Sequence, residues 1–329
     1  MRPGPRLALL VGALVALGAA PGGATAPAAS PAAALRVVNV NILHGIFCDD
    51  GAACQASDRV DLFLGQLEAA GCPEVVGIQE VNDTLRRLFT ARLPATCRGA
   101  YRTVFADADR NDSELVLTSL RARRPRIVAL PGPLRTASRV ELTSPAGPVV
   151  LVVTHQDGDR DFPACRDDVD RYRCPAPCPV GTTFSECQTI VGLRLAATGG
   201  SRRSLRVYMG DFNVPPASPR YQAIVADGFV DSHLAAGNAE CDPATGSQCT
   251  AGRDDTSIAA LKDPTARESE RIDFIFVKAP KRCTPRFVPS GSGTGVGTGL
   301  FAATPAPSGP GGLVWPSDHT AVSMELTCA

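Results

Sequence analysis

Leu205 to Val214 reads LRVYMGDFNV. The first half is rich in β-branched and apolar residues and reads as a buried strand. It ends in Gly210-Asp211-Phe212-Asn213, which puts a carboxylate and a carboxamide where the chain leaves the sheet. Ligands gather at such strand ends. Working outward, the same pattern recurs. Leu35 to Ile42 (LRVVNVNI) carries Asn41 near its end, and Val75 to Val81 (VVGIQEV) carries Glu80. Val149 to Thr154 runs into His155, and Arg271 to Val277 (RIDFIFV) contains Asp273. Ser317-Asp318-His319 precedes a last strand at Thr320 to Leu326. Taken singly, an Asp or Asn at a strand end is ordinarily a turn residue. Glu80 and Asp273 resist that explanation, because a carboxylate inside an apolar run costs several kcal/mol unless it is paired or binds metal.

Further strands are expected at Tyr101 to Phe105, Glu114 to Thr118, Ile127 to Leu130 and Ser138 to Leu142. Helices are expected at Ser57 to Ala70, Asn82 to Leu93 and Gln188 to Thr198. In the first, Ser57 or Asp58 caps the start, and Val60, Phe63, Leu64 and Leu67 share one face. Many short strands with a few interspersed helices predict two sheets packed face to face with helices outside. Asp157 to Glu186 and Thr284 to Pro316 show no periodicity and read as long loops.

The polar set suits phosphoryl chemistry. Carboxylate and amide oxygens are hard ligands of the kind Mg²⁺ takes. An Asp can take or orient the proton of an attacking water. A His paired with an Asp is a fixed, more basic imidazole that can offset charge on a phosphate. No G-x-S-x-G elbow and no G-x-x-x-x-G-K-[ST] loop is present, which argues against serine-triad hydrolysis and a P-loop.

NILHG, IQEV, TH, GDFN, RIDFIFV and SDH, in that order, resemble the endonuclease/exonuclease/phosphatase (deoxyribonuclease I-like) superfamily, in a secreted bacterial-type form. The resemblance spans about Leu35 to Leu326. It implies a four-layered α/β sandwich, two mostly antiparallel sheets packed face to face with helices on the outer faces. By the same resemblance, Glu80 is the main Mg²⁺ ligand with Asn41 beside it, and Asp318 is an acid near the metal; Mn²⁺ is the alternative cation. Asp211 activates the attacking water, and Asn213 orients Asp211 and the phosphate. His155 and His319 hold the phosphate oxygens, with His319 oriented by Asp273. Two segments depart from the pattern: the cysteine-rich stretch after His155, and Asn111 to Ser119.

The 329 residues suffice for one large domain or two smaller ones. Arg2, Arg6 and the apolar run Leu7 to Ala20 read as a signal peptide, too short to span a bilayer comfortably. Residues 1–34 are therefore expected to be a processing region, and 35–329 the catalytic domain of a secreted or extracytoplasmic protein. Twelve cysteines agree with an oxidising compartment. Their spacing suggests Cys48–Cys54, Cys241–Cys249 and Cys283–Cys328 as pairs, and a stapled loop holding Cys165, Cys174, Cys178 and Cys187; zinc at Cys174 and Cys178 is the competing reading.

Without residues 1–34 the charge is 31 basic against 33 acidic, so no global field draws nucleic acid. The clusters at Arg121, Arg123, Arg124, Arg126 and at Arg202, Arg203, Arg206 read as solvated loop surface. The expected partner is a phosphoester substrate, a nucleic acid or a phospholipid head group, and no obligate protein partner is implied. Phosphodiester hydrolysis of the nuclease or sphingomyelinase kind leads; a phosphomonoesterase on inositol or sugar phosphates, or a non-catalytic binding module, are the alternatives. Leu300, Phe301, Leu313, Val314 and Trp315 could touch a membrane surface transiently; core packing of Trp315 is the plainer reading.

Overall fold

Side chains alternate across a strand, so a run such as LRVVNVN must offer one row to each face of its sheet. In the computed structural model both rows are buried. The structure describes residues 34–49, 51–105, 112–132, 135–158, 164–165, 176–291 and 296–328. The expected signal segment lies outside these but for Ala34, and so does Cys174.

The strands are β1 (Leu35–Asn41), β2 (Val75–Val81), β3 (Arg102–Phe105), β4 (Ser113–Thr118), β5 (Arg121–Ala129), β6 (Thr136–Ser144) and β7 (Gly147–His155). They continue with β8 (Leu205–Asp211), β9 (Val230–Asp231), β10 (Asp273–Lys278), β11 (Pro285–Phe287), β12 (Gly299–Phe301) and β13 (Ala321–Cys328). The helices are α1 (Gly51–Ala69), α2 (Asp83–Arg92), α3 (Phe184–Ala197), α4 (Pro219–Ala226), α5 (Ser232–Ala235) and α6 (Ile258–Lys262).

Seven strands form one sheet in the order β11-β13-β1-β2-β4-β3, with β12 also on β13; six form the other in the order β5-β6-β7-β8-β10-β9. Each sheet holds one parallel pair, β1–β2 and β7–β8, and the other strand pairings are antiparallel. One row of each central strand meets the facing sheet: Leu35 and Val37, Val149, Leu151 and Val153, Leu205, Val207 and Met209, Ile275 and Val277. The opposite row of the first sheet packs on α1 and α2 through Val38, Val40, Phe63, Leu67 and Phe89. That of the second packs toward α3 and α4 through Val152, Tyr208, Ala196 and Tyr221. The result is the expected four-layered sandwich. Burying each large aliphatic or aromatic side chain contributes about 1.5–3 kcal/mol. Gly77 lets the sheets close up, since a Cβ there would stand 2.4 Å from the Met209 methyl.

Several elements extend the sequence reading. The helix expected from Ser57 begins at Gly51, and its first turn is set off by left-handed Cys54 and Gln55 (φ 55° and 51°). The helix expected from Gln188 begins at Phe184, inside the stretch expected to be loop. It carries a capping box in which Thr183 and Glu186 satisfy each other's backbone N–H groups. Thr284 to Pro316 supplies β11 and β12, each pairing with β13. The arginines of 121–126 stand on β5, an exposed edge strand rather than a loop, where charge blocks strand-to-strand aggregation. Leu313 and Trp315 are buried with Leu43 and Leu62, Phe301 is buried, and Leu300 and Val314 pack against the core. These five side chains face inward, which corrects the expectation of a membrane-touching loop. No helix among the described residues is long and apolar enough to cross a membrane.

The expected disulfides Cys48–Cys54, Cys241–Cys249 and Cys283–Cys328 are present, and Cys72–Cys97 and Cys178–Cys187 join them. The last one leaves Cys178 no thiolate for zinc. Cys283–Cys328 ties β13 to the segment before β11. Replacing both of its cysteines with serine should cost about 2–5 kcal/mol of unfolding free energy. An unchanged urea midpoint would show that this bridge contributes nothing.

Candidate active site

Parallel pairing aligns strand ends. β1, β2, β7 and β8 therefore finish on one rim, and β10 and the segment before β13 begin there, because they run antiparallel to β8 and β1. The inter-sheet row of β8 continues from Met209 to Asp211, that of β7 from Val153 to His155, and that of β10 starts at Asp273, directly opposite Asp211. The row of β1 continues through Asn39 to Asn41, and Asn39 accepts a hydrogen bond from Gln79 at 2.8 Å. Period-two alternation thus turns the last member of each apolar row into a polar group at one end of the core. Gly210 makes the closeness of the β7 and β8 ends feasible. Its φ is 153°, and a Cβ there would lie 1.8 Å from the Thr154 carbonyl oxygen.

Glu80 arrives differently. Strict alternation would aim it toward the helices, but β2 carries a bulge between Ile78 and Val81, and Glu80 sits at φ 61°. The bulge re-aims the carboxylate to the rim. Asn213 is also left-handed, at φ 52°. This turns its backbone N–H back to Asp211 Oδ1 at 2.9 Å.

All eight residues expected in the site lie in one contiguous network. Asn41 Nδ2 donates to Glu80 Oε1 at 3.0 Å and to Asp211 Oδ2 at 3.1 Å, while its oxygen accepts the Leu43 N–H. His319 Nδ1 pairs with Asp273 Oδ2 at 2.9 Å, and its Nε2 stands 3.9 Å from Asp211 Oδ2 and 3.8 Å from Asp318 Oδ2. His155 Nδ1 pairs with Asp112 Oδ1 at 3.0 Å, and its Nε2 stands 3.5 Å from Asp211 Oδ2. Asp211 is therefore flanked by two imidazoles, each backed by its own carboxylate.

The groups that pair with the His319 ring among the described residues, Asp273, Asp318 and Asp211, are all acceptors. Burial opposes its charge, but Asp273, Asp318 and Asp211 outweigh that and raise its pKa well above the usual value. Burial lifts Asp273 to about 6, and His319 pulls it back. For His155, burial again opposes charge, and Asp112 and Asp211 overcome it, raising the pKa to about 9. Asp112 is itself held down to about 2, its burial outweighed by His155 and Arg135. Asn213 Nδ2 lies 3.0 Å from His155 Nε2 and also donates to the Gln156 carbonyl. Neutral His155 accepts that second amide hydrogen, whereas cationic His155 turns its Nε2–H to Asp211.

On the other side, the carboxylates of Glu80 and Asp318 lie close enough to feel each other's charge. Burial raises Asp318, and the charge of Glu80 raises it further against the pull of His319. Two carboxylates that oppose each other are the donor chemistry a hard divalent cation takes. Asp211, Asp273 and His319 also offer donor atoms within 4.8 Å of one another, although His319 Nδ1 and Asp273 Oδ2 already engage each other. Arg59 lies buried behind the acids, donating to the Ile42 and Cys54 carbonyls. Burial lowers its pKa to about 10 despite Asp318 and Glu80.

Several site residues escape a reading of strand ends. Asp112, Arg135 and Asp157 form a connected set around His155, with Arg135 Nε 2.7 Å from Asp157 Oδ1. Buried Glu114 accepts the His155 backbone N–H at 3.2 Å. Ser317 donates to the Asn41 carbonyl at 2.6 Å and so ties the SDH segment to β1. Arg253 stacks on Trp315 at 3.9 Å and pairs with Glu268 at 2.5 Å beneath the same segment. His44 gives its backbone N–H to Glu80 Oε2 at 2.7 Å, with its ring 3.5 Å from the same oxygen. Of these, His44 and Ser317 had a sequence signal, from their places in NILHG and SDH. Beyond Asn213 a groove of about 1170 Å³ opens, lined by Pro215, Pro216, Ser218, Glu240, Glu270 and Arg271 among others.

The profile of the Endonuclease/Exonuclease/phosphatase family matches residues 38–319. The chain belongs to the endonuclease/exonuclease/phosphatase family. Family members are hydrolases of phosphoester bonds. No curated protein sequence matches it. Among solved structures of this fold, truncated Caenorhabditis elegans TDP2 is 18% identical with a TM-score of 0.57, covering 90% of this chain and 98% of that one. D. rerio TDP2 complexed with a single-strand DNA product is 15% identical with a TM-score of 0.60, covering 89% and 99%. An endonuclease/exonuclease/phosphatase from Bacteroides vulgatus is 18% identical with a TM-score of 0.57, covering 90% and 99%. At such identities the likeness shows the family's fold alone.

Proposed function

We propose that this protein is an exported, Mg²⁺-dependent phosphodiesterase that hydrolyses nucleic acid by attack of an activated water on phosphorus. The observation that carries the reading is the placement of Asp211, whose Oδ2 faces His155 and His319 while Asn213 fixes Oδ1. Oδ2 takes the proton of the attacking water. The two imidazoles, each held by a carboxylate, donate to the phosphoryl oxygens as negative charge grows there. Glu80 and Asp318 would hold the cation, with Asn41 bracing Glu80 against Asp211. A bound divalent cation supplies Lewis-acid polarisation of the phosphoryl group.

Nucleic acid is the favoured substrate for two reasons. One neighbour of this fold was solved with a DNA product, and the apolar residues that a lipid-surface reading needs are turned inward. Export rests on the five disulfides seen among the described residues together with the leader-like residues 1–34. We take residues 35–329 as the catalytic domain, a reading supported by the family match over 38–319.

EDTA should abolish cleavage of a single-stranded oligonucleotide, and Mg²⁺ should restore it, with Mn²⁺ as a substitute. Glu80→Gln should then need a much higher Mg²⁺ concentration for half-maximal rate, about tenfold or more. Full activity in EDTA would overturn the metal assignment. A panel of plasmid DNA, RNA, sphingomyelin vesicles and inositol phosphates decides the substrate; preference for either of the last two would replace nucleic acid.

A further inference from the structure

Phe47 is the most exposed large apolar side chain among the described residues, at 67%, and its neighbour Ile46 is 50% exposed. Single exposed apolar residues are ordinary. This pair differs in where it stands and in how firmly it is held. It follows His44, whose backbone and ring both address Glu80, and the Phe47 ring meets the His44 ring edge-on at 5.4 Å and 68°. Ile46 N–H donates to His44 Nδ1 at 3.1 Å, and Asn82 Nδ2 donates to the His44 carbonyl at 3.0 Å. Cys48 is bonded to Cys54, and Asp49 N–H reaches the Thr256 carbonyl at 2.9 Å. The loop is thus tied on both sides of the pair, yet the two apolar side chains remain in solvent beside the acids.

We infer that Phe47, flanked by Ile46, is a stacking shelf for the nucleobase next to the scissile phosphate. The inference rests on the nucleic-acid reading above. A base offers a π-face whatever its identity, so an exposed aromatic ring binds it without sequence preference. Stacking matters more here than in a basic nuclease, because 31 cationic against 33 acidic residues outside 1–34 give no field to gather a polyanion. A lipid surface is the poorer occupant: interfacial binding scales with buried apolar area, and the nearby Leu313 and Trp315 add none.

The test compares wild type, Phe47→Ala and Phe47→Trp on a single-stranded oligonucleotide and on the same strand with abasic residues around the cleavage position. Phe47→Ala should raise KM on the normal strand about 5–100-fold, with kcat within about twofold, and Phe47→Trp should restore it. Wild type should lose the same factor on the abasic strand, and Phe47→Ala should lose nothing further there. Phe47 is exposed, so thermal melts should coincide. Equal KM values for wild type and Phe47→Ala, or independent losses from the two changes, would overturn the shelf while leaving the nuclease reading intact. No cleavage of any strand by wild type removes that reading and the shelf together. Loss confined to sphingomyelin vesicles assigns the pair to a lipid surface instead.

Discussion

Asp211→Asn should lower kcat on a phosphodiester about 10²–10⁴-fold, with KM little changed. The amide keeps the shape and the Asn213 contact but can no longer take a proton. The same substitution leaves His155 and His319 without the charge between them, so part of the loss is electrostatic. His319→Ala separates the two contributions. It removes one phosphate-facing donor, for about 10²–10³-fold, and leaves the proton acceptor in place. Near-wild-type turnover in Asp211→Asn would remove Asp211 from the centre of the chemistry.

Asp112→Asn should move the alkaline limb of kcat/KM to lower pH. His155 stays cationic up to about pH 9 because the charges of Asp112 and Asp211 outweigh its burial. Without Asp112 the burial cost dominates, and the pKa returns to the ordinary imidazole value of about 6.5 or below. At pH 8 the cationic fraction then falls from most of the population to about a thirtieth. Activity at that pH should drop roughly tenfold or more, with much less change at pH 6. The folded-state pKa lies above the unfolded one, so this His also stabilises the fold fully below about pH 6.5, and that contribution is lost as pH rises through about 9. Superimposable pH–rate profiles for Asp112→Asn and wild type would show that His155 does not act as a cation.

The strand ends were legible because polarity interrupts period-two apolar rows there. Asp211, His155 and Asp273 are the next positions in rows that begin Leu205, Val149 and Val277. From the strand pattern alone Glu80 was legible only as an anomaly, and its expected role came from the IQEV resemblance. What resolves it is a bulge, and the letters of VVGIQEV carry no mark of one. Asp112 and Arg135 were invisible for another reason. They lie just before β4 and β6, where an isolated charge looks like any turn residue, and they acquire meaning only when β7 brings His155 between them. β11 and β12 are three residues each, too short for periodicity to register. The start of α3 was readable after all: Thr183 and Glu186 stand at the spacing of a capping box. The capped start of α4, Ser218-Pro219, was equally plain.

The pairing of β1 with β13 has a consequence for synthesis. Leu35 lies opposite Leu326, so β1 takes one of its two neighbours from β13, the strand most distant from it in the described sequence. That strand is preceded by Asp318 and His319, so a chain made only as far as β12 lacks two of the eight site residues as well as one neighbour of β1. Contacts this remote in sequence close late and slowly. The site is therefore complete only once β13 has paired with β1.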